Sequence, residues 1–159
     1  MLKTLNSFFE ISSKQKILLK KYVSLIKKNQ KKINLVGKST LNQIWVRHIM
    51  DSMQIMMYLP IEKKDKFLLD VGTGAGFPGV VLFIMGRKNV LLCDKSSKKN
   101  FFLKNMLREC SLDIQIFNNR IEDCFKDNVE IIVSRAFASL KKLIGSIYHL
   151  ISLETILVI

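Results

Sequence analysis

The stretch Leu68-Leu69-Asp70-Val71-Gly72-Thr73-Gly74-Ala75-Gly76-Phe77-Pro78-Gly79 restricts the fold more than any other part of the chain. It joins an apolar run to a helical run through alternating glycines, which turn sharply and approach a neighbour without a Cβ in the way. Pro78 falls where proline suits a first helical turn. The rhythm downstream agrees with a strand–loop–helix unit. Short apolar runs recur at 67–71, 90–93, 114–117, 129–133 and 155–159, with helical segments at 79–85, 97–110 and 139–150. Strands alternating with helices predict βαβ units in a parallel, doubly wound α/β sheet.

The first sixty residues have a different period and read as helices. Leu2, Leu5 and Phe9 share one face of a short first helix. Ser12 with Gln15 forms a capping-box pattern ahead of Leu18, Leu19, Tyr22, Val23, Leu25 and Ile26 at helical spacing. After a break over 34–38, Ser39 or Thr40 is expected to cap a third helix carrying Leu41, Ile44 and Trp45, with helix continuing or restarting through Met57. Pro60 and the charged cluster 62–66 mark a boundary. The expected division is a basic helical region, 1–62, ahead of an α/β domain, 63–159.

Charge follows the same division. The net charge is +13; residues 1–66 carry 14 Lys/Arg against 4 Asp/Glu, and residues 67–159 carry 12 against 9. A basic N-terminal third suits a surface that meets a polyanion, and the plainer reading is solvated lysines on helix faces. Hydrophobic residues at 48% with 25% charged residues describe a globular chain. The longest apolar run, 80–85, is far too short to span a membrane, and residues 1–11 lack the features of a signal peptide. Cys93, Cys110 and Cys124 are scattered, and only His48 and His149 are available beside them. Neither a disulfide framework nor a metal site is expected, and a reducing cytoplasm fits.

The glycine loop restricts the ligand as well. Asp94 ends the second strand, 24 residues after Asp70, where a carboxylate can accept hydrogen bonds from both ribose hydroxyls. Gly74-x-Gly76-x-x-Gly79 also satisfies the dinucleotide pattern, so a nicotinamide-dependent oxidoreductase stays open, as does a tight turn with no ligand. Asp70 beside the loop opposes a pyrophosphate, which would rest at the helix N-terminus. The same charge suits an ammonium and a sulfonium, the two cationic groups of S-adenosylmethionine.

Further motifs carry a resemblance. Asn34-Leu35-Val36, Trp45-Val46-Arg47-His48 and Asp51-Ser52 precede the loop. Asn119-Arg120-Ile121-Glu122 and Val133-Ser134-Arg135-Ala136-Phe137-Ala138-Ser139-Leu140 follow it. In this order they resemble the bacterial small-subunit ribosomal RNA guanine-N7 methyltransferase family (RsmG, or glucose-inhibited division protein B), from about Asn34 to the last residue. The resemblance implies a Rossmann-like S-adenosylmethionine-dependent methyltransferase fold with an N-terminal helical extension. It implies methylation of guanine N7 at guanosine 527 in the 530 loop of 16S ribosomal RNA. By matching motifs it assigns cofactor contacts to Gly72, Phe77, Ile121, Glu122 and Arg135; Asp94 is added from ribose geometry.

Arg47, His48, Arg120 and Phe137 are candidates for RNA contact, each with a structural alternative: Phe137 as core, His48 as a packed helix residue. Members of that family continue past the fifth strand, so a C-terminally truncated chain is expected, with a non-catalytic RNA-binding remnant as the alternative function. The expected partner is 16S RNA or the small ribosomal subunit, met by a monomer.

Guanine N7 has an in-plane lone pair, so no catalytic base is expected. The Asn/Asp-Pro-Pro-aromatic motif of exocyclic-amine methylases is replaced by Ser134-Arg135-Ala136-Phe137, and no Pro-Cys pair occurs.

Overall fold

The computed structural model describes residues 9–124, 129–137 and 139–159. Leu2 and Leu5 of the expected first helix, and Ala138, lie outside that set. Helix α1 (Ser13–Asn29) opens with the expected capping box: Gln15 N–H donates to Ser12 Oγ at 3.2 Å, and Ser12 N–H donates to Gln15 Oε1 at 2.9 Å. The Gln15 amide also donates to the Ile84 carbonyl at 2.9 Å, fastening the start of α1 to the core.

The expected third helix is not regular. Residues 41–58 form a chain of short turns: a 3₁₀ turn Leu41–Gln43, a wide π turn Trp45–Met50, one α-helical turn α2 (Asp51–Gln54) and a 3₁₀ turn Ile55–Tyr58. Thr40 does not cap, because its backbone is already helical and its hydroxyl donates to the Gly37 carbonyl at 3.0 Å. Ser52 Oγ donates back to the His48 carbonyl at 2.5 Å, a local bond that competes with regular helix and bends it.

The α/β part comprises β1 (Leu68–Val71), α3 (Gly79–Ile84), β2 (Val90–Cys93), α4 (Ser97–Cys110), β3 (Gln115–Phe117), β4 (Ile131–Val133), α5 (Leu140–Ile147) and β5 (Ile156–Val158). All strand pairs are parallel, in the order β3-β2-β1-β4-β5. Asp70 lies level with Leu92 on β2 and Val133 on β4. The order reverses between β1 and β4, and such a switch point opens a crevice beyond the carboxyl ends of the strands.

Both faces of the sheet are covered, which is why β1 and β2 are buried at every position. The pleat sends Leu68, Leu92, Ile131 and Val133 to one face, against Tyr22 and Ile26 of α1, Val80 of α3 and Leu103 of α4. Leu69, Val71, Leu91, Cys93 and Ile132 point to the other face, against Leu143, Ile147 and Leu150. The basic α1 thus shares its core with one face of the sheet. Buried Arg87 donates to the Lys63 carbonyl at 2.7 Å and holds the boundary segment against the end of α3.

Gly79 opens α3 against β1 and β2. A Cβ there would lie 2.4 Å from Leu92 Cδ2 and 2.8 Å from Asp70 Oδ2, both in the core. Gly79→Ala should therefore cost about 1–3 kcal/mol of stability through overpacking. Urea unfolding should show a lower midpoint with an unchanged slope. Gly145→Ala on α5, where a Cβ meets nothing within 4 Å, should be neutral or stabilising; equal losses in both variants would refute the packing argument.

Candidate functional site

A cleft of about 330 Å³ lies beyond the carboxyl ends of the strands. Gly72 after β1, Asp94 to Ser96 after β2, Asn119 to Glu122 after β3, and Ala136 with Phe137 after β4 form its walls. Lys99 of α4 and Lys142 and Ser146 of α5 complete the lining.

The glycine loop is fixed from two sides. The Cys93 carbonyl accepts the N–H groups of Gly72 at 2.8 Å and Thr73 at 3.1 Å. Asp94 Oδ2 accepts the N–H of Gly74 at 2.8 Å, while Oδ1 accepts the N–H of Ser96, also at 2.8 Å. Gly72 has φ +71°, and a Cβ on it would come within 2.5 Å of the Phe137 ring. Only glycine meets both conditions at that position.

Asp70 does not face the cleft. The pleat that buries it completely turns its carboxylate under the loop. There Oδ2 accepts from Thr73 Oγ1 at 2.6 Å and from Gly79 N–H at 2.7 Å. Oδ1 has no hydrogen-bond partner among the described residues. Burial pushes this carboxyl up to about 7, against the opposing pull of those two hydrogen bonds. The expectation that Asp70 screens the ligand by its charge is thus replaced by a mechanical role: it ties the start of the loop to the start of α3.

A second cluster stands behind the loop, on the α1 side. Phe77 is buried between Tyr22, ring centroids 5.2 Å apart, and His48, at 4.9 Å. The Tyr22 hydroxyl donates to the Ala75 carbonyl at 2.9 Å. Arg135 places its guanidinium 5.7 Å from the Phe77 ring centroid and donates from Nη2 to His48 Nδ1 at 3.0 Å. A guanidinium has donors only, so Nδ1 is the acceptor and Nε2 carries the proton. Nε2 then donates to Thr40 Oγ1 at 2.8 Å, and Thr40 donates onward to Gly37. Burial, then the Arg135 charge, lowers His48 to about 4, so the ring is neutral at physiological pH.

The residues singled out from the sequence therefore separate. Gly72, Asp94, Arg120, Ile121, Glu122 and Phe137 line the cleft. Phe77, His48 and Arg135 form the cluster behind the loop, and Arg47 is exposed beside it. Ala136, at φ +52°, makes the division after β4: it sends Arg135 to one side and Phe137 to the other. Glu122 accepts from Ser146 Oγ at 2.6 Å, and that bond chiefly holds its carboxyl below the usual range.

Sequence reasoning missed Lys95, Ser96, Lys99, Lys142 and Ser146 in the lining, along with Asn100. The buried Asn100 amide donates to the Asp94 carbonyl at 2.5 Å, to Ser96 and to Asn118 Oδ1, anchoring the turn after β2. Its signal was available: Asn100 shares the buried stripe of Leu103, Leu107 and Cys110 on α4.

A parallel sheet with a switch point, a glycine loop after β1 and an acid after β2 facing one cleft together define a class. It is a Rossmann-like fold, and similarity to the rRNA small subunit methyltransferases makes it that of an S-adenosylmethionine-dependent methyltransferase. Solved structures share the fold: a ribosomal protein L11 methylase from Lactobacillus delbrueckii subsp. bulgaricus matches with TM-score 0.55 and 20% identity over 76% of this chain and 58% of its own. A putative S-adenosyl-L-methionine-dependent methyltransferase from Methanococcus maripaludis matches with TM-score 0.56 and 16% identity, over 72% of this chain and 57% of its own. The family model for rRNA small subunit methyltransferase G (GidB) matches residues 15–159.

Curated relatives agree. The Ribosomal RNA small subunit methyltransferase G of Orientia tsutsugamushi (strain Ikeda) is 41% identical over 141 residues, 89% of this chain and 70% of the relative. That of Rickettsia akari (strain Hartford) is 39% identical over 138 residues, 87% of this chain and 71% of the relative. The chain belongs to the ribosomal RNA small subunit methyltransferase G family. The nicotinamide reading left open by the glycine spacing falls away with this membership. Among the described residues no helix is long and apolar enough to cross a membrane, and no group of three or more His, Cys, Asp or Glu converges on a metal site.

The raised Asp70 carboxyl has a measurable consequence. Its native pKa lies above the ordinary 3.8, so its contribution to stability is full below about pH 4 and is lost as pH rises through about 7. In Asp70→Asn, the amide oxygen keeps both bonds of Oδ2, and the NH₂ takes the place of the partnerless Oδ1. The variant should be more stable than the wild type at pH 8, with the gap closing towards pH 4. Urea unfolding at both pH values checks this; parallel pH profiles would contradict it.

Proposed function

We propose that the protein transfers the methyl group of S-adenosylmethionine to N7 of a guanine in 16S ribosomal RNA, at guanosine 527 of the 530 loop. The observation that carries this reading is the ordered motif set from Asn34 to Leu140, which lies within the stretch matched by the family. Curated relatives are named for methylation of small-subunit ribosomal RNA. The cleft residues suit the cofactor. Asp94 presents a carboxylate at ribose spacing, Gly72 leaves a wall without a side chain, and Ile121 with Glu122 forms the lining after β3.

When bound, the cofactor supplies an electrophilic methyl on a cationic sulfur. The protein's part is to hold and to exclude water. Asp94 braces Gly74 and Ser96, and Phe137 closes over Gly72 at the rim. Phe77 and Arg135, which the resemblance places with the cofactor contacts, act in this reading as positioning residues behind the loop. His48 orients Arg135 in the same way. Arg120 and Phe137 at the rim, and exposed Arg47, are the candidates for RNA contact, with the lysines of α1 adding affinity for the phosphate backbone. The partner is 16S RNA or the small ribosomal subunit, met by a monomer in the cytoplasm.

Because N7 needs no deprotonation, alignment of donor and acceptor is the main catalytic demand. Such alignment supplies about 7–11 kcal/mol in well-oriented systems. The protein incubated with labelled S-adenosylmethionine and 30S subunits or free 16S RNA should place label at a guanine N7, mapped by chain cleavage at 7-methylguanine. Cofactor binding without RNA label would refute the substrate. RNA binding with no S-adenosylhomocysteine heat in calorimetry would favour the non-catalytic reading instead. Asp94→Ala should weaken S-adenosylhomocysteine binding at least tenfold; an unchanged dissociation constant would remove Asp94 from the site.

A further inference from the structure

Two of the three cysteines meet at the end of β2, where Cys93 lines the cleft. Cys93 ends β2 immediately before Asp94, lines the cleft, and holds the glycine loop through its carbonyl. Cys124 follows the turn Ile121–Asp123, of which Ile121 and Glu122 line the cleft, and its Sγ donates to the Arg120 carbonyl at 3.1 Å. The two sulfurs are 3.3 Å apart, and both thiols are free. They are 31 residues apart in sequence, and their meeting arises only from the pairing of β2 with β3. Cys110 is free too, buried on α4, and lines no part of the cleft.

We propose that Cys93 and Cys124 are an oxidisable thiol pair, and that their closure to a disulfide shuts the cleft to its cofactor. This rests on the reading of the cleft as the S-adenosylmethionine site. A disulfide has its sulfurs about 2.05 Å apart, so closure requires an approach of about 1.2 Å. That approach draws the Arg120–Glu122 turn towards the end of β2, where Asp94 also lines the cleft. The bond narrows the cleft between the two edges proposed to hold adenine and ribose.

Exposure sets the order of events. Cys124 is half-buried and Cys93 is 2% exposed, so a small peroxide meets Cys124 first. The Cys124 sulfur attacks the peroxide O–O bond, giving a sulfenic acid and one water from hydrogen peroxide. The Cys93 sulfur then displaces hydroxide from that sulfenic acid, forming the S–S bond, and the thiol proton leaves with the hydroxide as a second water. Two thiols are oxidised by two electrons and one peroxide is reduced to two waters. Burial raises both thiols above their ordinary value, so the pair resists mild oxidants and needs peroxide in excess.

The test uses the full chain treated with hydrogen peroxide and quenched by alkylation. Peptide mapping should join the Cys93 and Cys124 peptides with a loss of two hydrogens, in the wild type and in Cys110→Ser alike. The dissociation constant for S-adenosylhomocysteine should rise at least tenfold on oxidation and return with dithiothreitol. In Cys124→Ser it should be the same before and after peroxide. Absence of the Cys93–Cys124 link, or a link that leaves the wild-type dissociation constant unchanged, would overturn the proposal. Failure of the reduced protein to bind S-adenosylhomocysteine would refute the cofactor reading, and with it the claim that closure shuts out the cofactor; the peptide map would still decide whether the pair oxidises.

Discussion

The cleft depends on one buried oxygen. Asp70 Oδ2 accepts from Thr73 in the loop and from Gly79 at the first turn of α3, so a single acceptor closes the loop into a ring. Everything that faces a ligand is then referred to β1. Gly72 and Gly74 hang from the Cys93 carbonyl and the Asp94 carboxylate, which belong to the end of β2. Ser134 Oγ donates to the Val71 carbonyl at 2.9 Å and brings the end of β4 to the same point. Three strand ends are thus registered by polar contacts that a wet or mobile loop would not keep. The uncompensated Oδ1 and the raised carboxyl are the thermodynamic cost of placing that acceptor in the core.

The N-terminal helical layer serves the same loop from behind. Tyr22 reaches the Ala75 carbonyl, and Phe77 fills the space between Tyr22 and His48. His48 is neutral and committed to Arg135 on one nitrogen and Thr40 on the other, which fixes both its tautomer and the direction of the guanidinium. Arg135 also spans to Ser52 Oγ and the His48 carbonyl, each at 3.4 Å. His48 and Ser52 are four residues apart and share one face of the turns of 41–58, so both reach Arg135. The motifs before the loop, Trp45-Val46-Arg47-His48 and Asp51-Ser52, read as the wall that supports it.

Local signals were legible in the sequence where one physical rule dominates. The period change at Phe67, the capping box at Ser12 and the limits of β2 and α4 all followed from hydrophobic spacing and cap chemistry. The glycine loop also declared itself. What the sequence hid are consequences of the pleat and of long-range packing. Whether Asp70 faces the ligand or the core depends on which face α1 covers, and nothing in the residues 68–79 reveals that. Thr40 looked like a cap until its hydroxyl was claimed by Gly37 and His48, 3 and 8 residues away. Arg135 and Phe137 stand two apart in one motif, which by resemblance assigns the first to the cofactor and leaves the second to RNA or to the core. The left-handed backbone of Ala136, which separates them, has no signature in a residue other than glycine or asparagine.

That separation bears on the chemistry the cleft can support. Proton abstraction in the transition state needs an acceptor poised near neutrality and free to take a proton. Glu122 is held below the ordinary range by Ser146, and the Cys93 thiol is raised above its own by burial. His48, the one imidazole in this junction, is neutral but turned behind the loop with both nitrogens engaged. Asp94 already accepts two backbone N–H groups. These groups are arranged to hold backbone in place. A target atom that arrives with its own lone pair asks for little more than a rigid wall and a dry rim, and guanine N7 is such an atom, whereas an exocyclic amine is not. The same commitment of polar groups to the scaffold explains why the loop tolerates no side chain at Gly72: rigidity leaves no slack between the Phe137 ring and the first turn of the loop.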